Sequence, residues 1–115
     1  VLGAEGEAPR VAMSPPLDGG LPVRWGRLNW EVLGKAGRLK WSVRGGNRHE
    51  PDDSWTAWSS TWTDQNHELP LDPCRFLQWR VEFPAGSDAD AVRLTSVSVR
   101  KSGAMLRCRK YSATA

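Results

Sequence analysis

Apolar residues recur at every second position in the main runs of this chain, and that period limits what it can fold into. In 24–33, Leu28, Trp30 and Val32 alternate with Arg27, Asn29 and Glu31. In 38–44, Leu39, Trp41 and Val43 alternate with Lys40, Ser42 and Arg44, and in 76–83 Leu77, Trp79, Val81 and Phe83 share one phase. A period of two belongs to a β-strand with one buried face. No run of eleven or more residues has helical spacing, and eleven Gly and eight Pro supply turns between the runs. The expected fold is an all-β antiparallel β-sandwich of about seven or eight short strands.

A length of 115 residues fits one domain. Its expected organisation is a flexible lead-in over 1–12, one sandwich module over 13–111 and a tail over 112–115. The Pro15-Pro16 pair in VAMSPPLDGG points to an edge strand or an extended arm, and Asp18-Gly19-Gly20 to a turn. The runs 24–33 and 38–44, joined by GKAG, read as a β-hairpin. Polar loops follow at 45–54 and 64–73, with a short, irregular strand between them over SWTAWSSTW. In 91–100, Val92 and Leu94 hold one phase and Val97 and Val99 the other. That slip predicts a bulge near Thr95-Ser96. A last strand is expected at 105–111, after a turn at Lys101-Ser102-Gly103. The expected core is Leu28, Trp30, Leu39, Trp41, Val43, Leu77, Trp79, Val81, Val92 and Leu94, with Trp25 a strand-end residue of open facing.

Composition narrows the role. A formal charge of +3 is mildly basic and permits a polyanion partner without requiring one. No apolar run approaches the length of a membrane span, so no membrane partner is expected. The N-terminal VLGAEGEAPR lacks a basic, then apolar, signal-peptide pattern and an initiator Met, and reads as the start of a mature or excised module. Two cysteines are too few for a disulfide scaffold or a zinc site. Cys74 and Cys108 either form a single bond or are buried free thiols.

Three blocks together carry a resemblance: DGGLPVRWGRLNWEV, RLKWSVRGGNRHEPDDSWTAWS and CRFLQWRVEF. Across about residues 14–100, the chain resembles a bacterial β-sandwich accessory module found beside β-propellers and in other large extracytoplasmic proteins. The resemblance implies a jelly-roll or galactose-binding-like sandwich, an extracytoplasmic location and no catalytic residues. Two positions depart from the pattern: Gly45 stands where Ser or Thr is usual, and Cys74 where a small Ala is usual.

The residues carry no nucleophile elbow and no zinc-protease helix. His49 and His67 lie in polar loops. Glu50, Asp52 and Asp53 are crowded into one turn, whereas glycoside hydrolysis needs two acids facing each other across a cleft. A non-enzymatic role is expected, without a cofactor. Asn47, Glu50, Asp52 and Asp53 are hard oxygen donors of the kind calcium prefers, but their spacing matches no EF-hand, side-chain turns are the simpler account of Asn47 and Asp52, and no metal is expected.

Glycan binding draws on indole faces that stack on sugar rings and on polar groups that hold hydroxyls. The candidate site is Trp55, Trp58 and Trp62 with Arg44, Asn47, Asp52 and Gln65. In a regular strand Trp55 and Trp58, three apart, face opposite ways, leaving at most one to stack a ligand. The expected function is a non-catalytic carbohydrate-binding accessory module with a polysaccharide or glycan as partner. One alternative is a structural or docking module held by neighbouring domains of a parent protein. Another is polyanion or nucleic-acid binding through Arg100, Lys101, Arg107, Arg109 and Lys110. For those cations a charge-guarded edge strand is the simpler account.

Overall fold

The computed structural model describes residues 11–33, 39–83, 93–101, 104–108 and 112–114. Nine strands run through these residues: β1 (Val11–Met13), β2 (Leu17–Val23), β3 (Trp25–Leu33), β4 (Lys40–Gly46), β5 (His67–Glu68), β6 (Cys74–Glu82), β7 (Arg93–Lys101), β8 (Ala104–Cys108) and β9 (Ser112–Thr114). They form two antiparallel sheets packed face to face, and the all-β sandwich read from the period-two runs is the fold of the protein.

The five-stranded sheet is organised around β6. β4 pairs along one side of it, from Lys40↔Glu82 to Gly46↔Phe76. The other side is shared by β2, opposite Cys74–Leu77, and β1, opposite Arg80–Glu82. The prolines occupy the interruption between those two strands. Proline cannot donate to a ladder, and Ser14 keeps the pairing continuous. Its N–H donates to Trp79 O at 3.0 Å, and its hydroxyl accepts the Trp79 N–H at 3.0 Å. The expectation of an edge strand or an extended arm over VAMSPPLDGG holds for its second half, since β2 pairs with β6 alone among the described residues, and is corrected for its first, since β1 lies between β6 and β9. Both terminal strands belong to the sandwich. β1 begins at Val11 inside the expected lead-in, and β9 occupies the expected tail.

The second sheet has the order β5-β3-β7-β8. β3 and β4 are not a hairpin, since they belong to different sheets. Each has one strongly apolar face, and facing strands bury both faces at once. Trp30 and Trp41 meet across the sandwich at 4.8 Å between ring centroids, and Trp41 meets Trp79 at 5.4 Å. Offset or tilted indole pairs contribute about 0.5–1.5 kcal/mol each beyond the area they bury.

The core contains Leu28, Leu39, Trp41, Val43, Leu77, Trp79, Val81 and Leu94, with Val97 and Val99. Trp30 is half-buried against it. Trp25 is buried, and its Nε1–H donates to Cys74 O at 2.9 Å. The phase slip in β7 is a bulge: Glu31 pairs with Ser96 and Val32 with Leu94, so Thr95 has no partner across the ladder. Its hydroxyl donates to Glu31 O at 3.0 Å. Val92 and the turns at 34–37, 84–90 and 102–103 lie outside the described residues.

Cys74 is a buried free thiol, so the bond to Cys108 is not formed. Its Sγ donates to Phe76 O at 3.3 Å, and burial holds the thiol pKa above its ordinary value. The two departures noted in the sequence meet at this point. A β-carbon on Gly45 would lie 2.6 Å from Cys74 Sγ and 3.0 Å from Phe76 O. The thiol occupies the space that a side chain at position 45 would need.

A double-mutant cycle tests this exchange. Gly45→Ser alone should destabilise by about 1–3 kcal/mol through overpacking, and Cys74→Ala alone by about 1 kcal/mol through a void. The double variant should recover at least ~1 kcal/mol of their sum in urea unfolding. Strict additivity would show that the two positions are not coupled.

Candidate functional site

The tryptophan-rich segment runs along the free side of β4, but with its own period. Thr56 N–H donates to Gly45 O at 2.9 Å and Ser59 N–H to Val43 O at 2.8 Å, while Trp62 and Trp41 exchange bonds of 3.0 and 2.9 Å. The segment therefore advances three residues for every two of β4. In that register its carbonyls miss two N–H groups of β4, and hydroxyls replace them. Gly45 N–H donates to Thr56 Oγ1 at 3.1 Å and Val43 N–H to Ser59 Oγ at 3.1 Å. The Thr and Ser of W-T-x-W-S thus carry out the pairing that main chain performs in a regular strand.

This period corrects the expectation that Trp55 and Trp58 face opposite ways. Three residues apart, they occupy equivalent places, and both reach Arg44. The guanidinium carbon of Arg44 lies 5.7 Å from the centroid of Trp55 and 4.6 Å from that of Trp58; Arg80 lies 4.5 Å from Trp58. The result is an alternating ladder, Trp55–Arg44–Trp58–Arg80, on the outer face of the five-stranded sheet. Alternation along β4 and β6 turns Trp41, Val43, Leu77, Trp79 and Val81 inward and leaves Arg44, Gln78 and Arg80 outward.

Each part of the ladder is held. Trp55 is 6% exposed and covers Gly46, where a β-carbon would fall 2.6 Å from Trp55 Nε1. Its Nε1–H donates to Arg48 O at 3.1 Å. Arg44 Nε donates to Gln78 Oε1 at 2.9 Å, and Gln78 Nε2 to Ser14 O at 2.8 Å. Trp58 is half-buried. Arg80 Nε is buried and has no hydrogen-bond partner among the described residues. Burial, then the neighbouring Arg80 charge, pulls the Arg44 pKa down. Neither arginine forms an ion pair among the described residues.

The remaining candidates are elsewhere or already engaged. Trp62 is 6% exposed and stacks on His67 at 4.5 Å with an 8° interplanar angle. Gln65 closes the side of β3 by accepting from Trp30 N and donating to Trp30 O. Asn47 Oδ1 accepts the Arg75 N–H at 3.0 Å. Asp52 accepts from Ser54 N and Oγ and pairs with Arg48, and the Ser54 bonds hold its carboxyl below the ordinary carboxylate range. Glu50 and Asp53 are exposed, and no group of three or more His, Cys, Asp or Glu suited to a metal converges among the described residues.

Of the basic C-terminal residues, Arg100 is exposed and Lys101 Nζ donates to Gly19 O at 3.0 Å. Arg107 lies in β8 with its side chain outside the described set, and Arg109 and Lys110 lie outside the described residues altogether. A cleft of about 380 Å³, lined by Arg24, Thr56, Ser59, Glu68 and Asp72 among others, contains none of the tryptophans.

Sequence reasoning missed Arg80 and Gln78. Both hold the polar phase of the strongest strand, and that was their available signal. Only the register Ser42↔Arg80 and Arg44↔Gln78 sets them beside Arg44. Comparison with family models, curated proteins and solved structures finds no match to this chain.

At one end of the same face, Arg75 bonds both carboxylate oxygens of Asp18, at 2.8 and 3.0 Å, and Gly20 N–H donates at 2.7 Å. Gly20 has φ 89°, which suits glycine. The Arg75 bonds first, and then the Gly20 N–H, hold the Asp18 pKa down to about 2.

Two outcomes follow. Thr56→Val should cost about 1–2 kcal/mol in chemical denaturation, because it strips the acceptor from Gly45 N–H; an unchanged midpoint would mean that the hydroxyl is dispensable. Asp18 should titrate near pH 2 by carbon-detected NMR, and Arg75→Gln should raise it toward 3.8. Since its folded pKa is depressed, the stability it lends is present above the unfolded value and fades as pH falls through about 2.

Proposed function

We propose that this protein is a non-catalytic accessory module of an extracytoplasmic protein, and that it binds a glycan on the outer face of its five-stranded sheet. The observation that carries the reading is Trp58. It is the half-exposed member of the 55–62 trio, set beside two guanidiniums in a ladder built on paired strands. The two arginines already lie over its ring, so the part of the indole left exposed supplies the apolar surface for sugar C–H groups, and Arg nitrogens donate to ring substituents. The two arginines stand on paired strands, and Trp58 on a segment hydrogen-bonded along β4, which suits a preformed binding surface.

The docking alternative draws less support. Among the described residues, the large apolar side chains left exposed are Leu21 and Leu33. They belong to different sheets, and singly exposed leucines are ordinary on a soluble surface.

The test is affinity gel electrophoresis of the whole chain against a panel of neutral and acidic polysaccharides, with tryptophan fluorescence in parallel. At least one polymer should retard the protein. Trp58→Ala should weaken that binding at least ~10-fold, a change of about 1.4 kcal/mol, with the fold retained by circular dichroism. Trp62→Ala should instead lower stability by about 3–5 kcal/mol. Failure of every polymer to retard the folded chain would overturn the reading.

A further inference from the structure

Arg44 and Arg80 approach one indole ring to 4.6 and 4.5 Å, yet no carboxylate pairs with either among the described residues. Both are half-buried, and Arg80 Nε is shut off from solvent without an acceptor. Two like charges held together in a partly dry place are costly unless an anion joins them. Gln78 takes only the Nε–H of Arg44, so the outer nitrogens of its fork remain unbonded among the described residues. A guanidinium fork matches a planar carboxylate with two parallel bonds.

The charge on this face is also local. The paired rows run Gly46↔Phe76, Arg44↔Gln78, Ser42↔Arg80 and Lys40↔Glu82, with Asp18 opposite Phe76 on the far side of β6. Asp18 lies beyond one end of the arginine pair and Glu82 beyond the other. Each of these acids has a cation beside it, Arg75 on Asp18 and Lys40 across from Glu82, so the uncompensated charge is confined to Arg44 and Arg80, a footprint for one charged sugar unit rather than a long polyphosphate. Resting on the glycan reading above, we propose that the ligand is an acidic polysaccharide, with the carboxylate of a uronic acid residue received by Arg44 and Arg80 beside Trp58.

The test uses the whole chain with polygalacturonate, alginate and hyaluronate, each beside its carboxyl-reduced counterpart, and with single-stranded DNA. At least one acidic polymer should bind ten-fold or more above its reduced form, with affinity falling as salt rises from 50 to about 200 mM. Arg80→Gln should remove most of that preference. Arg80→Lys, which keeps the charge but loses the fork, should remove part of it, with thermal unfolding confirming that each variant is folded. Equal binding of acidic and reduced polymers, or an Arg80→Gln variant that keeps the preference, would overturn the acidic-ligand inference while leaving glycan binding intact. Binding to no polysaccharide would overturn both. Retention of DNA above every acidic glycan would replace the uronate with a phosphate backbone.

Discussion

The register between β4 and β6 governs both faces of the five-stranded sheet. It runs unbroken from Lys40↔Glu82 to Gly46↔Phe76. With pleated strands in fixed register, a one-residue slip would exchange the faces. A slip of β4 would turn Trp41 and Val43 outward and carry Arg44 into the core; a slip of β6 would turn Trp79 and Val81 outward and carry Gln78 and Arg80 inward. Burying those cations without partners is far more costly than any gain from the exchanged pairing. The same apolar packing that builds the core therefore aims the arginines at the tryptophan segment. Core and candidate site are two sides of one constraint.

The ladder on the outer face answers a structural problem and leaves a chemical one. A segment that advances three residues for two of its neighbour cannot bond as a strand does. Hydroxyls at Thr56 and Ser59 supply part of the missing pairing. Stacking of Arg44 on Trp55 and Trp58, and of Arg80 on Trp58, supplies the rest of its attachment, at about 0.5–2 kcal/mol per cation–ring contact. The anchoring places two cations close together. Arginine does not shed its proton to relieve the repulsion, so the strain persists until an anion neutralises it.

Much of the fold could be read from the chain, because alternation is local. The core residues of β4 and β6, the inward set of β3 and the bulge at Thr95 all follow from which phase holds the apolar side chains. Pairing was harder, because it depends on residues far apart. The β3 and β4 runs have the short glycine-flanked link of a hairpin, yet each has an apolar face demanding cover, and facing across the core satisfies both. β1 was misplaced for a related reason: its prolines mark a break in the ladder, and Ser14 bridges that break from the side. In the site, Arg44, Trp55 and Trp58 were legible, whereas Arg80 and Gln78 depend on long-range register. Gln65 looked like a ligand group because a side-chain amide presents the same donor and acceptor to main chain as to a sugar, and it is committed to Trp30.

The covering of β4 also bears on how this module meets a partner. An open strand side invites another strand, since its N–H and C=O groups are a template for pairing. Here the Gly45 and Val43 N–H groups already donate to hydroxyls, and Trp41 exchanges both bonds with Trp62. The segment that covers them runs at the wrong period to extend the ladder itself. Strand addition along β4 is closed off, so recognition on this side falls to side chains on the face of the sheet. The groups on that face beside the covering segment are an indole and two guanidiniums.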